Sequence, residues 1–416
     1  MGSEELIEND NKYIVNMYGR FDMAVDHASG AEVFDVDGKR YIDMTAGIGV
    51  VSLGYADPGW MKAVTEQLGK YQHISNLYYS EPGITLAEKL VKRTGMSKAL
   101  FVNSGAEANE AAFKIARKYG NVTAKGTGKP GKQEFEYGVF KGKAPECFDK
   151  GRNAIISLKD SFHGRTIATI TATGQEKFHK DFDPFAPGFH YAEPGSIDDL
   201  VKLADKVSPC ALIMELVQGE GGVNVLDSEY VKEAAALCRN RDIALIIDEV
   251  QTGIGRTGTL FAFQQFGIEP DMVTFAKGIG NGLPIGGVLC NEKYADVFKP
   301  GDHGCTFGMN PAACAGANYV LDTIDDDFLS SVSEKGTYIR GKLEELETVE
   351  ETTGLGLMIG IVLKDGSLSP AAAAQELLEH GLMVLTAGNK VRLLPPLTIT
   401  YEEIDEALAI FREVLG

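Results

Sequence analysis

An α/β protein with one large, mostly parallel sheet is what this sequence predicts, on three observations. Short β-type runs, among them "AEVFDVDGKRYID", "NAIISL", "ALIMELV", "ALIIDEV" and "DMVTFAK", alternate with helical stretches such as "EYVKEAAALCRN". Such alternation is the pattern of strands joined by crossover helices. Two of the runs end on charged residues closely followed by glycines, as strands do when they open onto a ligand crevice. A chain of 416 residues, 44% hydrophobic and 24% charged, can also bury a core large enough for two or three domains.

Taken in order, the chain opens on "MGSEELIENDNKYIV", which is acidic and lacks the basic and apolar regions of a secretory signal. "NSGAEANEAAFKIARKYG" predicts a helix: Ser104 and Glu107 have capping-box spacing, Ala108, Ala111, Ala112 and Ile115 form a buried stripe, and Gly120 ends it. From Gly120 to Arg152 the chain is rich in Gly and Lys without apolar periodicity, and reads as a long surface insertion. Within it "GTGKPGKQ" imitates a nucleotide-phosphate loop, but Gln133 stands where Ser or Thr would hold magnesium and no apolar strand precedes it. A basic loop is the expected outcome. Near the C-terminus Thr400 and Glu403 have the same capping-box spacing, before Ile404, Leu408 and Phe411 on one helical face.

Charge narrows the functional classes. Forty basic residues against 59 acidic ones give a net charge of −19, which argues against a nucleic acid or an anionic membrane surface held by bulk charge. No run of eighteen apolar residues suggests a membrane span, and the cytoplasm is the expected compartment. Cys147, Cys210, Cys238, Cys290, Cys305 and Cys314 show no paired spacing, so reduced thiols are expected rather than disulfides or zinc ligands. The histidines form no metal motif and no metal is expected. His163 is expected to be structural.

"ALIIDEVQTGIGRTG", from Ala244 to Gly258, has glycines in the spacing G-x-G-x-x-G. Asp271 lies at roughly the distance where a dinucleotide site places its ribose-binding acid. A nicotinamide-dependent dehydrogenase is therefore one reading. It leaves unexplained the Asp248–Glu249 pair at the strand's end, and Lys277, which ends the strand in "PDMVTFAKGIGNGLPIGG". In one parallel sheet Asp248 and Lys277 would present a carboxylate and an amine to the same crevice. Pyridoxal phosphate chemistry asks for a lysine that binds the cofactor, a carboxylate on the ring nitrogen, and a phosphate cradle. The helix start at Ser104, Gly105 and Ala106 offers that cradle in its free backbone N–H groups.

From about Tyr13 to the C-terminus the chain resembles the class III, or ω-amino-group, aminotransferases of the fold-type-I pyridoxal phosphate enzymes. "NSGAEANEAAFKIAR", "SFHGRT", "VQGEGGV", "IIDEVQTGIGRTG", "PDMVTFAKGIGNGLPIGG", "HGCTFGMNP" and "VRLLPPLTI" stand in the family's order. The resemblance implies a large cofactor-binding domain over residues 56–313, with a mostly parallel seven-stranded sheet and the insertion 120–152. Residues 1–55 and 314–416 would form a smaller α+β domain. It also implies a homodimer with shared active sites and 2-oxoglutarate as amino acceptor. The likeness is greatest to the branch whose donor is N2-acetylornithine, with γ-aminobutyrate, ornithine and succinyl-diaminopimelate as alternative donors.

Residue roles follow from the same resemblance. Lys277 would hold the cofactor covalently and Asp248 would pair with its ring nitrogen. Val250 and Phe162 would pack on opposite faces of the ring, Gln251 would reach the ring hydroxyl, and Glu249 is grouped with them. Ser104, Gly105 and Ala106 would receive the phosphate, joined by Thr306 from the partner subunit. Arg165 would take the α-carboxylate and Arg392 the distal carboxylate, with Glu220 neutralising Arg392 when no such carboxylate is present. Cys305 stands where the family usually has Ser, and is placed near the substrate.

Overall fold

The computed structural model describes residues 2–124, 134–137, 140–143 and 151–416. Near the N-terminus β1 (Val25–Ser29), β2 (Glu32–Asp35) and β3 (Arg40–Asp43) form an antiparallel meander. The central sheet then draws on β4 (Lys98–Val102), β7 (Ile155–Leu158), β8 (Phe189–Ala192), β9 (Ala211–Met214), β12 (Ala244–Asp248), β13 (Met272–Phe275) and β14 (Gly286–Cys290). Between these lie two small hairpins, β5 (Glu134–Tyr137) with β6 (Phe140–Lys143), and β10 (Val217–Gln218) with β11 (Asn224–Val225). The C-terminal part contributes β15 (Val349–Leu355), β16 (Met358–Leu363), β17 (Leu382–Met383), β18 (Leu385–Ala387) and β19 (Lys390–Leu393).

The central sheet has the order β4-β14-β13-β12-β9-β7-β8. Neighbours are parallel except where β14 is involved, so six strands share one direction and β14 opposes them. Every residue of β7, β9, β12, β13 and β14 is buried. Continuous apolar runs are what a sheet covered on both faces requires. Alternation along β12 sorts its side chains: Leu245 and Ile247 join the main core, while Ala244 and Ile246 pack with Ala108, Ala111, Ala112 and Ile115 of the helix Gly105–Ala124.

That helix passes through Gly120 instead of ending there. A Cβ at Gly120 would lie 2.1 Å from the Arg152 carbonyl oxygen, so glycine is required by a close backbone approach and not by a cap. The insertion lies largely outside the described residues, including the whole of "GTGKPGKQ". At the C-terminus the expected capping box is formed by Thr400 and Glu403 on the helix Tyr401–Leu415, whose Ile404, Leu408 and Phe411 are buried.

The two ends of the chain meet where β17 adds in parallel to β3. The remaining C-terminal strands form an antiparallel sheet of order β15-β16-β19-β18. The expected domain boundary after residue 313 falls inside the helix Pro311–Thr323, which packs on the helices Pro58–Lys70 and Glu81–Thr94. Among the described residues, no helix is long and apolar enough to cross a membrane.

Candidate active site

Six strands that run the same way bring their C-terminal ends to one edge, and there the sheet opens a cavity of about 410 Å³. β4 leads through Asn103 and Ser104 into the helix that begins at Gly105, so Ser104, Gly105 and Ala106 line one end of it. β12 ends on Asp248, and β13 leads through Ala276 to Lys277. Phe162, His163 and Arg165 follow β7, Glu215 follows β9, and Val250 and Gln251 complete the wall. The approach to β14 permits no side chain, since a Cβ on Gly286 would lie 2.7 Å from the Ser104 carbonyl oxygen.

Asp248 stands opposite Thr274 in the β12–β13 register, which sets its carboxylate beside the end of the strand that delivers Lys277. Its Oδ1 accepts from Val250 N at 3.0 Å, and its Oδ2 from Asn109 Nδ2 at 2.8 Å. His163 Nδ1 lies 2.8 Å from the same Oδ2 and donates to it in the tautomer that carries its proton there. These three partners fix the orientation of the buried carboxylate. His163 Nε2 is buried without a partner among the described residues.

Lys277 has φ +47, a left-handed conformation that costs a non-glycine residue about 1 kcal/mol or more and is retained where the surroundings impose it. Its amine makes no hydrogen bond or ion pair with the described residues. Burial pushes its pKa down to about 8, against the opposing charges of Glu220 and Asp248 and with help from Arg392. A neutral amine is therefore well populated in mildly alkaline solution. Burial likewise pushes the Glu215 carboxyl up to about 7. Glu215 also joins two loops, accepting from Phe162 N at 2.8 Å and Gly219 N at 3.2 Å.

Arg392, on β19, is buried and its Nη1 donates to Glu220 Oε1 at 2.7 Å. Gln251 touches both, through its Oε1 to Arg392 and its Nε2 to Glu220, each at 3.4 Å. Burial raises the Glu220 pKa, but the charge of Arg392 and its hydrogen bond outweigh this and hold the carboxyl below its usual range. The pair reaches the cavity wall through Gln251. Arg165 is exposed at the mouth, with its guanidinium 4.2 Å from the centre of the Phe178 ring and 5.6 Å from that of Phe162, and no carboxylate among the described residues pairs with it.

Five of the expected residues do not line this cavity: Glu220 and Arg392, which reach it only through Gln251, and Glu249, Cys305 and Thr306. Glu249 is fully buried on the other side of the strand end, where its carboxylate accepts from Thr252 Oγ1, Ala262 N and Phe263 N and so closes the turn that follows. Cys305 accepts from Asn103 Nδ2 through Sγ at 3.1 Å and lies behind the helix start. Thr306 is exposed and outside the cavity, a placement that leaves it available to a second chain. Conversely, His163, expected as a structural residue, contacts Asp248 directly. Asn109 and Glu215 had no assigned role; the one sequence signal was an asparagine among the buried alanines of the helix.

The glycines 253, 255 and 258 lead into a turn, and the helix after them, Ala262–Phe266, is short and begins too late to face them. Asp271 sits before β13, at the opposite edge of the sheet, where it accepts from Leu245 N at 2.8 Å. Neither position suits a dinucleotide. The cavity's own donor set fits pyridoxal phosphate: an unpaired amine, an oriented carboxylate, and a helix N-terminus whose first residues are small. No group of side chains suited to a metal ion occurs among the described residues.

Capture of pyridoxal phosphate by the cofactor-free protein is expected to accelerate with pH, with a midpoint near the Lys277 value of about 8. In Glu220→Gln the midpoint should move to lower pH, because the negative charge that favours the ammonium form is gone. Absorbance-monitored capture across pH measures both midpoints. An unchanged or raised midpoint would show that Glu220 does not act on the amine.

Comparison with known proteins agrees with the donor set. The family model "Aminotransferase class-III" matches residues 13–415. The acetylornithine aminotransferase of Haemophilus ducreyi is 45% identical over 416 residues, covering 100% of each chain. Among solved structures, the ornithine aminotransferase of Toxoplasma gondii superposes with a TM-score of 0.88 at 28% identity, covering 99% of this chain and 94% of that one. The N-acetylornithine aminotransferase of Stenotrophomonas maltophilia gives 0.78 at 33% identity, covering 98% of each.

Proposed function

Because this chain belongs to the class-III aminotransferases, we propose that it moves the terminal amine of N2-acetyl-L-ornithine to 2-oxoglutarate, giving N-acetyl-L-glutamate 5-semialdehyde and L-glutamate. The observation that carries the reaction class is the Lys277 amine, unpaired among the described residues, and the oriented Asp248 carboxylate at adjacent strand ends in one cavity. The choice of donor is supported by full-length curated relatives at 40–45% identity that bear that activity in their names.

Pyridoxal phosphate supplies an aldehyde carbon for amines and a ring that withdraws the electron pair left when a proton leaves carbon. Lys277 Nζ holds the cofactor at rest and, when free, accepts the proton from the carbon that bears the transferred amine. Asp248 keeps a proton on the ring nitrogen. The N–H groups of Gly105 and Ala106 receive the phosphate at the helix N-terminus, beside Ser104. Val250, Phe162 and Gln251 line the same cavity; the first two would pack against the ring and exclude water, and Gln251 would reach its hydroxyl.

Arg165 serves the carboxylate that both substrates possess, in the planar two-point geometry that suits it. Arg392 serves the second carboxylate of 2-oxoglutarate. When N2-acetylornithine occupies the cavity that carboxylate is absent, and Glu220 keeps the buried guanidinium paired. One pocket can then take both partners of the reaction.

A homodimer with shared sites is the proposed assembly. Leu77, Tyr78 and Tyr79 are 87%, 64% and 97% exposed in the single chain, as is 61% of Phe307, an apolar surface of the kind that marks a protein interface. The two segments adjoin, since Asn76 Nδ2 donates to the carbonyls of Cys305 and Gly308, and Thr306 lies between those carbonyls. The cytoplasm is the proposed compartment, in keeping with the unpaired thiols of the five described cysteines.

The test is glutamate formation from 2-oxoglutarate with each of four amines. Turnover of N2-acetylornithine with kcat/KM at least tenfold above ornithine, γ-aminobutyrate and succinyl-diaminopimelate supports the donor. Preference for another amine would keep the reaction class and replace the substrate.

A further inference from the structure

The G-x-G-x-x-G turn has no dinucleotide to hold, and its arginine has no carboxylate. Arg256 is 2% exposed, and its Nη1 donates to the carbonyls of Leu357 at 3.0 Å and Pro395 at 2.6 Å. Leu357 N in turn donates to the Arg256 carbonyl at 3.0 Å. Among the described residues no acid lies within ion-pair reach of the guanidinium, and Nη2 is buried without a partner. Burial pushes the group down to about 9, with Asp43 opposing.

A buried cation is a costly way to fill space, and apolar packing of equal volume commonly stabilises as well or better. What a guanidinium adds is direction: donors that reach carbonyls on two separate segments. One of those segments is the continuation of β19, with Pro395 three residues after Arg392. The other face of the turn meets the lysine loop, where a Cβ on Gly278 would lie 3.4 Å from Ile254 Cβ. The turn thus stands between the backbone that carries Lys277 and the backbone that carries Arg392.

We propose that Arg256 is a positioning residue: it ties the turn beside Lys277 to the segment after Arg392, and so sets the span across which a second substrate carboxylate is recognised. This rests on the reading that Arg392 receives that carboxylate. The experiment uses the cofactor-loaded enzyme and its Arg256→Met and Arg256→Lys variants. It measures KM for each substrate, the affinity for glutarate, a dicarboxylate with no amine to give or oxo group to accept one, and the melting temperature. In Arg256→Met the KM for 2-oxoglutarate and the Kd of glutarate should rise at least tenfold, while the KM for N2-acetylornithine stays within threefold. Arg256→Lys, with the charge on a shorter stem, should shift the same two constants about threefold; it alone decides the matter if the methionine variant does not fold. Lower melting temperatures with unchanged glutarate affinity would overturn the proposal and leave Arg256 a strut. A parent enzyme that ignores glutarate would overturn the reading of Arg392 and this proposal with it.

Discussion

Replacing Lys277 by alanine is expected to lower kcat by about 10⁴-fold or more, the upper range for a positioned proton carrier, since the same substitution also removes the covalent attachment. The fold should survive. Among the described residues Lys277 makes no hydrogen bond or ion pair whose loss would destabilise it, and alanine tolerates the left-handed backbone about as well as lysine does. Steady-state assays with a melting curve separate the two effects. Added methylamine should restore a small part of the rate by accepting the proton in place of the missing side chain. A variant within tenfold of the parent would remove Lys277 from the reaction.

For Asp248→Asn the expected loss is about 10²- to 10³-fold in kcat, the range for removing one preorganised electrostatic partner. The amide is neutral and cannot hold a positive charge on the ring nitrogen. It also presents an N–H where a carboxylate oxygen accepted, so at least one of the donors from Val250, Asn109 and His163 loses its acceptor. His163→Phe should cost less, about tenfold, because two of the three partners remain. Comparable kcat in Asp248→Asn and the parent would refute the ring-nitrogen role. A loss in His163→Phe as large as that in Asp248→Asn would make the histidine an equal participant.

The parts of the site that lie at strand ends were legible in the sequence. An apolar run that stops on Asp248, and another that stops on Lys277 before glycines, mark the edge of a parallel sheet without any tertiary information. Glu249 illustrates the limit of that signal. Consecutive residues of a strand point to opposite faces, so of two adjacent carboxylates only one could enter the cavity. The alternation of Ala244 and Ile246 with Leu245 and Ile247 decides which, once the helix Gly105–Ala124 is known to cover the former.

His163 and Glu215 come from the loops after β7 and β9 and Asn109 from within the helix Gly105–Ala124, and no local pattern announces such a meeting. Gly120 was misread for a related reason. A glycine at the end of a helical pattern resembles a cap, and the carbonyl of Arg152 that forbids a side chain there is 32 positions away. Thr306 is legible only by family likeness, because its expected ligand belongs to a second chain.

That contact at Gly120 has a consequence for how the protein tolerates change in length. Gly151 meets the chain at the same place, since a Cβ there would fall 1.9 Å from Asn121 Oδ1. Asn121 and Gly151, on either side of the intervening segment, therefore adjoin at one spot, ahead of β7 and at the opposite edge of the sheet from the cavity. Closing a loop between adjoining ends costs only about 0.6 kcal/mol more for each doubling of its length. Segments of very different size inserted between residues 124 and 151 are therefore expected to leave turnover within about twofold of the parent, as steady-state assays of such insertion variants would check.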